Sequence, residues 1–404
     1  MAKTIHALFL PLILLAACQS VPETDEQRLE RARRLAQRTL IVDGHIDVPY
    51  RLRKNPDDVT EATSGGDFDY PRAVEGGLDA PFMSIYVPAN LEVDGGSKEL
   101  ANELIDMVES IAERAPEKFA VAHTSADVER AFDSGRVALL LGMENGSPIE
   151  GDLANLEHFH GRGVRYITLC HSRDNHICDS SYDTRHSSKG LTEFGRTVVA
   201  KMNELGVIID VSHISDDTFW QVMELTRAPV LATHSSLRHF TPEFERNMSD
   251  EMVLEMGKKG SVVMINFGSS FINNDYRLHG SKRGEALGSF CENNGVERDS
   301  EAAKAFLASY DETKPKQFAD VGDVADHIDR VVELVGVDHV GLGSDFDGVG
   351  DSLPSGLKDV SDYPNLLAEL MKRGYSTRDL KKICGGNAMR VFKEVERIAA
   401  QSAK

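Results

Sequence analysis

The feature that most constrains this chain is a rhythm that begins near residue 40. Short apolar, β-rich runs alternate with longer amphipathic stretches. The runs cover residues 40–45, 81–87, 137–144, 164–171, 207–213, 229–234, 261–267 and 339–345, eight in all. Nearly uninterrupted apolar strands need cover on both faces, which is the situation of a parallel sheet flanked by helices. Helical patterns lie between them, as in residues 191–205 with Phe194, Val198 and Met202 on one face, and in 324–335 with Ile328, Val331 and Val332. Eight β/α units in series point to a closed (β/α)8 barrel of the TIM type. An open, doubly wound sheet has the same periodicity and is the competing fold. A length of 404 residues suits a barrel with insertions.

The chain before the rhythm has a different character. Lys3 precedes a short apolar run, 8–17, too short to span a bilayer as a helix. Leu15-Ala16-Ala17-Cys18 follows, which reads as a signal peptide with the form of a bacterial lipobox. The expectation is a signal at 1–18, lipidation of Cys18, a linker or helix at 19–39 and the barrel at 40–400. Gln19 after the cysteine suggests outer-membrane sorting, so the expected location is the bacterial cell envelope, lipid-anchored and facing the periplasm. Residues 23–38 have helical character, with Leu29, Ala32 and Leu35 on one face. The segment 268–317, rich in Asn, Ser and Gly, reads as an insertion and a candidate lid. Residues 377–400 read as helix, interrupted around Gly385-Gly386-Asn387. Four cysteines remain in the mature chain, Cys170, Cys178, Cys291 and Cys384, and free thiols and bridges are equally compatible with their spacing. A net charge of −20 argues against nucleic acid as a partner.

Six of the eight runs end on a His, Asp or Glu. They end at Asp43-Gly44-His45-Ile46-Asp47, at Glu144, at His171, at His213, at His234 and at Asp345-Phe346-Asp347. All strands of a barrel present their C-terminal ends to one face, so these residues converge although they are far apart in sequence. Imidazole nitrogens and carboxylate oxygens suit zinc, manganese or iron. A bridging carboxylate can hold two metals that share a nucleophile and polarise a carbonyl. His45 and Asp47, two apart on an extended strand, are expected on one face. Several ionisable groups buried together need paired charges or metals. No G-x-S-x-G elbow occurs, so a serine-hydrolase mechanism has no support. His123, His158, His160, His239, His279, His327 and His339 have no ligand spacing and read as surface or packing residues, and His176 and His186 lie in a polar loop.

The ordered set resembles the membrane (renal) dipeptidase family of zinc metallopeptidases, within the amidohydrolase-like barrels. Besides the run ends, the resemblance rests on Phe68-Asp69-Tyr70-Pro71-Arg72, Glu75-Gly76-Gly77, Arg165-Tyr166-Ile167-Thr168-Leu169, Asp210-Val211-Ser212-His213, His234-Ser235-Ser236, Arg246-Asn247 and the stretch 341–348. It implies a dipeptidase that uses a metal-bridging hydroxide. It implies two zinc ions, with His45 and Asp47 on one, His213 and His234 on the other, and Glu144 bridging. It implies His171 as oxyanion stabiliser, Asp345 as proton shuttle and Arg246 as clamp for the substrate's terminal carboxylate. Tyr50 and Tyr86 are expected in the substrate pocket. It further implies dipeptide substrates, tolerance of a C-terminal D-residue and a homodimer. The loop Asn145-Gly146-Ser147-Pro148 departs from the Gly-Gly-His form of the animal enzymes, and Arg238 is a second candidate clamp. Rival readings are a barrel acting on another amide, lactam or ester, and a catalytically silent binding lipoprotein.

Overall fold

The computed structural model describes residues 23–402. The expected signal segment and Cys18 lie outside the described residues. Each of the eight runs overlaps a strand. In chain order the strands are β1 (Ile41–Ile46), β2 (Leu78–Tyr86), β3 (Phe119–Val121), β4 (Val137–Glu144), β5 (Val164–Thr168), β6 (Ile208–Asp210), β7 (Leu231–Ala232), β8 (Val262–Ile265) and β9 (Val340–Leu342). They run in the order β2-β1-β9-β8-β7-β6-β5-β4, every pairing is parallel, and β2 pairs with β4 to close the ring. This is a closed (β/α)8 barrel, and the open sheet is excluded. Sequence reasoning missed β3, a short strand that pairs with β4 alone.

Alternation along the strands builds both the core and the site. In β4, Ala138 and Leu140 point into the barrel, where they meet Val42, Phe82, Tyr166, Ile208, Leu231, Val262 and Met264. Leu139, Leu141 and Met143 point outward into the larger core beneath the helices. Continuing the inward series of β4 two residues at a time reaches Gly142 and then Glu144 at the top of the barrel. The same step in β8 runs from Val262 through Met264 to Asn266. Parallel register aligns Tyr86 with Glu144, Glu144 with Thr168 and Thr168 with Asp210, so a row of polar residues tops the apolar filling. The opposite end of the barrel is plugged by the C-terminal helix Asn387–Ser402 through Val391, Phe392 and Val395. Each such large apolar side chain contributes about 1.5–3 kcal/mol by leaving water.

The strands from β5 onward are shorter than the runs that announced them. β5 ends at Thr168, three residues before His171, and β6 ends at Asp210, three before His213. The apolar pattern continues past each end because the first loop residues, Leu169, Cys170 and Val211, are themselves buried. The N-terminal helix Asp25–Ala36 starts from a capping box of Thr24 with Gln27 and packs on the helix Tyr363–Lys372. The helix read at 377–400 is broken as expected, with a π-helical turn Lys382–Gly386 before Asn387.

The insertion after β8 is helical and forms no Asn/Ser/Gly loop. A short helix Ser269–Ile272 precedes a hairpin of Asn274–Asn294 and Glu301–Thr313, joined by Phe290 stacked on Phe306 at 4.5 Å. Among its described residues only Ser270 and Phe271, at its start, line the site cavity. Cys170, Cys178, Cys291 and Cys384 are buried and free. Among the described residues no helix is long and apolar enough to cross a membrane.

Candidate metal centre and active site

The top of the barrel carries a cavity of about 650 Å³. At its floor lies Glu144, whose two oxygens face different neighbours. Oε2 is 3.3 Å from His45 Nε2 and accepts a hydrogen bond from Ser84 Oγ at 3.2 Å. Oε1 is 3.2 Å from His213 Nε2, 3.5 Å from His234 Nε2 and 3.4 Å from His171 Nε2. Asp47 Oδ2 is 3.3 Å from His45 Nε2. Sequence reasoning therefore named residues that do converge, including His171 and Asp345. The route differs for Asp47, which lies beyond β1 as the cap of the helix Val48–Lys54, with φ −88° and ψ 29°. A turn, and not strand periodicity, brings it back onto His45.

Three overlapping sets of donor atoms could each hold a cation. They are His45, Glu144 and His234; Glu144, His171 and His213; and His45, Asp47 and Asp345, each with its atoms within 4.8 Å of one another. The protonation chemistry differs across the cluster: burial opposes ionisation of His45, but Tyr166, Glu144 and Asp47 outweigh it and hold its imidazole well above the usual range, a positive charge that a bound cation would replace. Burial pushes the imidazoles of His213 and His234 well below their usual range, so both are in the neutral, ligating form. Burial opposes ionisation of Glu144, but the surrounding imidazoles outweigh it and hold the carboxyl well below its usual range. His45 Nε2 is buried without a hydrogen-bond partner. A divalent cation satisfies all these groups together.

The other ring nitrogens have orienting partners, which is how proteins fix ligand histidines. His45 Nδ1 lies 2.7 Å from the Tyr166 hydroxyl, whose ring crosses the barrel over Gly142. A β-carbon on Gly142 would collide with that ring. His234 Nδ1 lies 2.8 Å from Thr233 Oγ1, which donates to Asp210 at 2.7 Å. Asp210 also accepts from Thr168 Oγ1 at 2.5 Å and from the N–H groups of Ser212 and Thr233. Asn266 Nδ2 donates to Asp345 Oδ2 at 2.7 Å. Burial pushes the Asp345 carboxyl well above its usual range. Gly348 packs so closely that a β-carbon there would strike the carboxylates of Asp47 and Asp345. His213, Asp345 and Asp347 all have positive φ, at 70°, 63° and 64°. Such backbone is costly for non-glycine residues and collects at functional sites.

Tyr50 and Tyr86 line the cavity as expected, with rings edge to face at 4.8 Å. Tyr86 stands 4.9 Å from the His171 ring. Arg246 is 3 % exposed beneath Phe271, with its guanidinium carbon 5.4 Å from that ring. Its Nη1 donates to Ser235 Oγ and its Nη2 to the His234 carbonyl, which leaves Nε without a partner. Arg238 is directed elsewhere, paired with Asp216 at 2.7 Å and with the carbonyls of Glu245 and Asn247. Asp347 accepts from Arg51 Nε at 2.8 Å and from the Asp67 N–H at 2.7 Å. His176 pairs with Glu92 at 2.8 Å, and buried His327 bridges the N–H of Leu237 and the carbonyl of Ile272.

A metal-ligand constellation at the C-terminal mouth of a parallel barrel has relatives. The family model for the membrane dipeptidases (peptidase family M19) matches residues 29–404. The chain belongs to the membrane dipeptidase family. Dipeptidase ataJ of Aspergillus terreus (strain NIH 2624 / FGSC A1156) is 32 % identical over 407 aligned positions, 92 % of this chain and 88 % of that protein. The probable dipeptidase PvdM of Pseudomonas aeruginosa superposes with a TM-score of 0.80 at 27 % identity, over 93 % of this chain and all of that one. A metallopeptidase of Rhodobacter sphaeroides, crystallised with a phosphinate mimic of L-Ala-D-Ala, gives 0.73 at 26 % identity, over 88 % of this chain and 99 % of that one. As a membrane dipeptidase, this chain is a metal-dependent hydrolase of dipeptides.

Tyr166 and Asp210 stood in motifs that carry the resemblance but without a role, and Ser84, Thr233 and Asn266 were given no role from sequence. Their signal is a polar residue inside an otherwise apolar run, such as Asn266 at the end of the seventh.

Proposed function

We propose that this membrane dipeptidase cleaves the single peptide bond of a dipeptide with two zinc ions, one on His45 and Asp47, the other on His213 and His234, with Glu144 between them. The observation that carries this reading is the division of Glu144, with one oxygen toward His45 and the other toward His213 and His234. Bound there, the ions supply a water activated near neutral pH and a Lewis acid for the scissile carbonyl. Asp345 moves the proton, taking it from the attacking water and delivering it to the leaving amine nitrogen. Its buried carboxyl, held by Asn266, has the raised proton affinity that a shuttle needs. His171 donates to the carbonyl oxygen as negative charge develops there. Arg246 takes the terminal carboxylate through Nε and its uncommitted N–H groups, and Tyr50 and Tyr86 wall the pocket. Longer peptides are excluded because one cavity must hold both termini. The L-Ala-D-Ala mimic bound by the Rhodobacter relative supports tolerance of a C-terminal D-residue here.

The test is hydrolysis of Ala-Ala, Ala-D-Ala and Ala-Ala-Ala by zinc-loaded and chelated protein. The expected result is cleavage of both dipeptides, none of the tripeptide, loss on chelation and recovery with zinc. Tripeptide cleavage at a comparable rate would remove the clamp, and recovery with another cation but not zinc would remove the metal assignment. We further propose a lipid anchor at Cys18, a barrel unit at 40–400, a bacterial envelope location and a homodimer. An N-terminal peptide mass without acyl chains, or a monomer mass by light scattering, would refute the anchor or the dimer respectively.

A further inference from the structure

Among the described residues two cations near this site, Arg246 and Lys54, have no carboxylate partner, and they belong to different elements. Arg246 belongs to the side of His234, whose carbonyl accepts from its Nη2 at 2.9 Å. The second is Lys54, the last residue of the helix that Asp47 caps. Its ammonium lies 4.3 Å from the centre of the Tyr50 ring, in a cation–π contact that holds it over the cavity wall. Tyr50 belongs to the same helix and leans edge-on to Tyr86, so Lys54 stands on the cavity wall built by the helix that follows Asp47. Among the described residues Lys54 has no carboxylate partner. The neighbouring Arg51 does, in Asp347. The other acidic groups lining the cavity, Asp47, Glu144 and Asp345, belong to the metal-ligand sets.

A dipeptide has one terminal carboxylate, and with Arg246 assigned to it the unpaired ammonium of Lys54 on the cavity wall has a place for a second. We propose that Lys54 is a specificity residue that takes the side-chain carboxylate of an acidic residue at the amino-terminal position of the dipeptide. This rests on the reading in which Arg246 takes the terminal carboxylate, because that orientation puts the amino-terminal residue on the Lys54 wall. A cavity of about 650 Å³ has room for a glutamyl side chain beside a small second residue. The contact is at the solvent-facing rim, so its effect is that of a partly screened ion pair, about five-fold in kcat/KM.

The experiment compares kcat/KM for Glu-Ala and Gln-Ala, which match in shape and differ in charge, on zinc-loaded wild type, Lys54→Met and Lys54→Arg. The ratio within one protein is independent of its active fraction, so partial misfolding does not move it. We expect Glu-Ala to be favoured about five-fold by wild type and by Lys54→Arg, with the ratio near one in Lys54→Met. The wild-type ratio should also fall toward one at about 0.5 M salt. A wild-type ratio of one or less, or a ratio that survives in Lys54→Met, overturns the proposal. Ala-Glu and Ala-Gln separate it from the orientation on which it rests. If Lys54→Met alters that ratio and leaves Glu-Ala over Gln-Ala unmoved, the dipeptide lies the other way and both readings fall. If Arg246→Lys leaves KM for Ala-Ala unchanged, the clamp fails on its own.

Discussion

At the scale of single residues, the site depends on groups that touch the expected metal ligands from behind. Thr233 shows this best. Its hydroxyl donates to Asp210 at 2.7 Å and so can accept the Nδ1–H of His234 at 2.8 Å, which turns Nε2 toward Glu144. Asp210 is fully buried and accepts from hydroxyl and amide donors on several sides. Thr233→Val keeps the shape and removes the relay. Zinc affinity measured by chelator competition should then weaken about 10- to 100-fold, and Thr233→Ser should restore it. An affinity unchanged in Thr233→Val would mean that His234 needs no partner to hold its tautomer.

At the scale of elements, the ligands were legible from sequence and their supports were not. Every named ligand stands at or just beyond the end of an apolar run, and parallel strands deliver run ends to one face whatever the details of packing. His45, Glu144, His171, His213, His234 and Asp345 could therefore be found without knowing the register. Tyr166 and Asn266 lie inside runs, and whether a polar group there meets a ligand depends on register and on gaps such as the one Gly142 leaves. The strand ends were misjudged for a related reason, since buried loop residues continue the apolar signal. The insertion after β8 was read as an insertion without its helices, because they bury little and carry little periodicity, with only Tyr276, Cys291 and Ala303 of the hairpin's described residues buried. Strand β2 carries a separate consequence at its base. The carboxyl of Asp79 accepts one hydrogen bond, from the Ile41 N–H at 2.9 Å, and burial pushes its pKa up to about 7. Unfolded, the group titrates near its ordinary value of about 3.9. Between about pH 4 and 7 the folded chain holds a proton that the unfolded chain has released, so stability falls as pH rises through that window and levels off above it. Asp79→Asn removes this loss and should stabilise by about 2 kcal/mol above the window, after allowance for the water that a partly buried carboxyl retains. Thermal melts at about pH 5 and about pH 8 should show a larger gain over wild type at the higher pH. An equal gain at both would mean that Asp79 does not titrate in the folded chain.

At the scale of the whole molecule, one end of the barrel is closed by apolar contacts and the other by charge. Val391, Phe392 and Val395 of the last helix plug the N-terminal end, which needs nothing further. The C-terminal end gathers His45, Asp47, Glu144, His213, His234 and Asp345, all buried, with carboxylates against carboxylates as well as against imidazoles. Buried ionisable groups at that density are destabilising unless cations neutralise them. Metal binding should therefore act as part of the folding energy, since the candidate ligands come from β1 and β4 and from the turns after β1, β6, β7 and β9, and assemble only in the closed barrel. Binding to the folded chain alone contributes about 4 kcal/mol when free metal is about a thousand times its Kd. The melting temperature should fall by several degrees on chelation and rise again with added zinc in a concentration-dependent way. A His213→Ala, His234→Ala double variant should lose most of that zinc dependence while keeping the circular dichroism of the barrel. Because the linkage is read from unfolding, it tests the metal centre independently of any substrate. If chelation demonstrably strips the metal and leaves the melting temperature unmoved, the mouth of the barrel is stable without cations, and the donor cluster must be neutralised by its own protons.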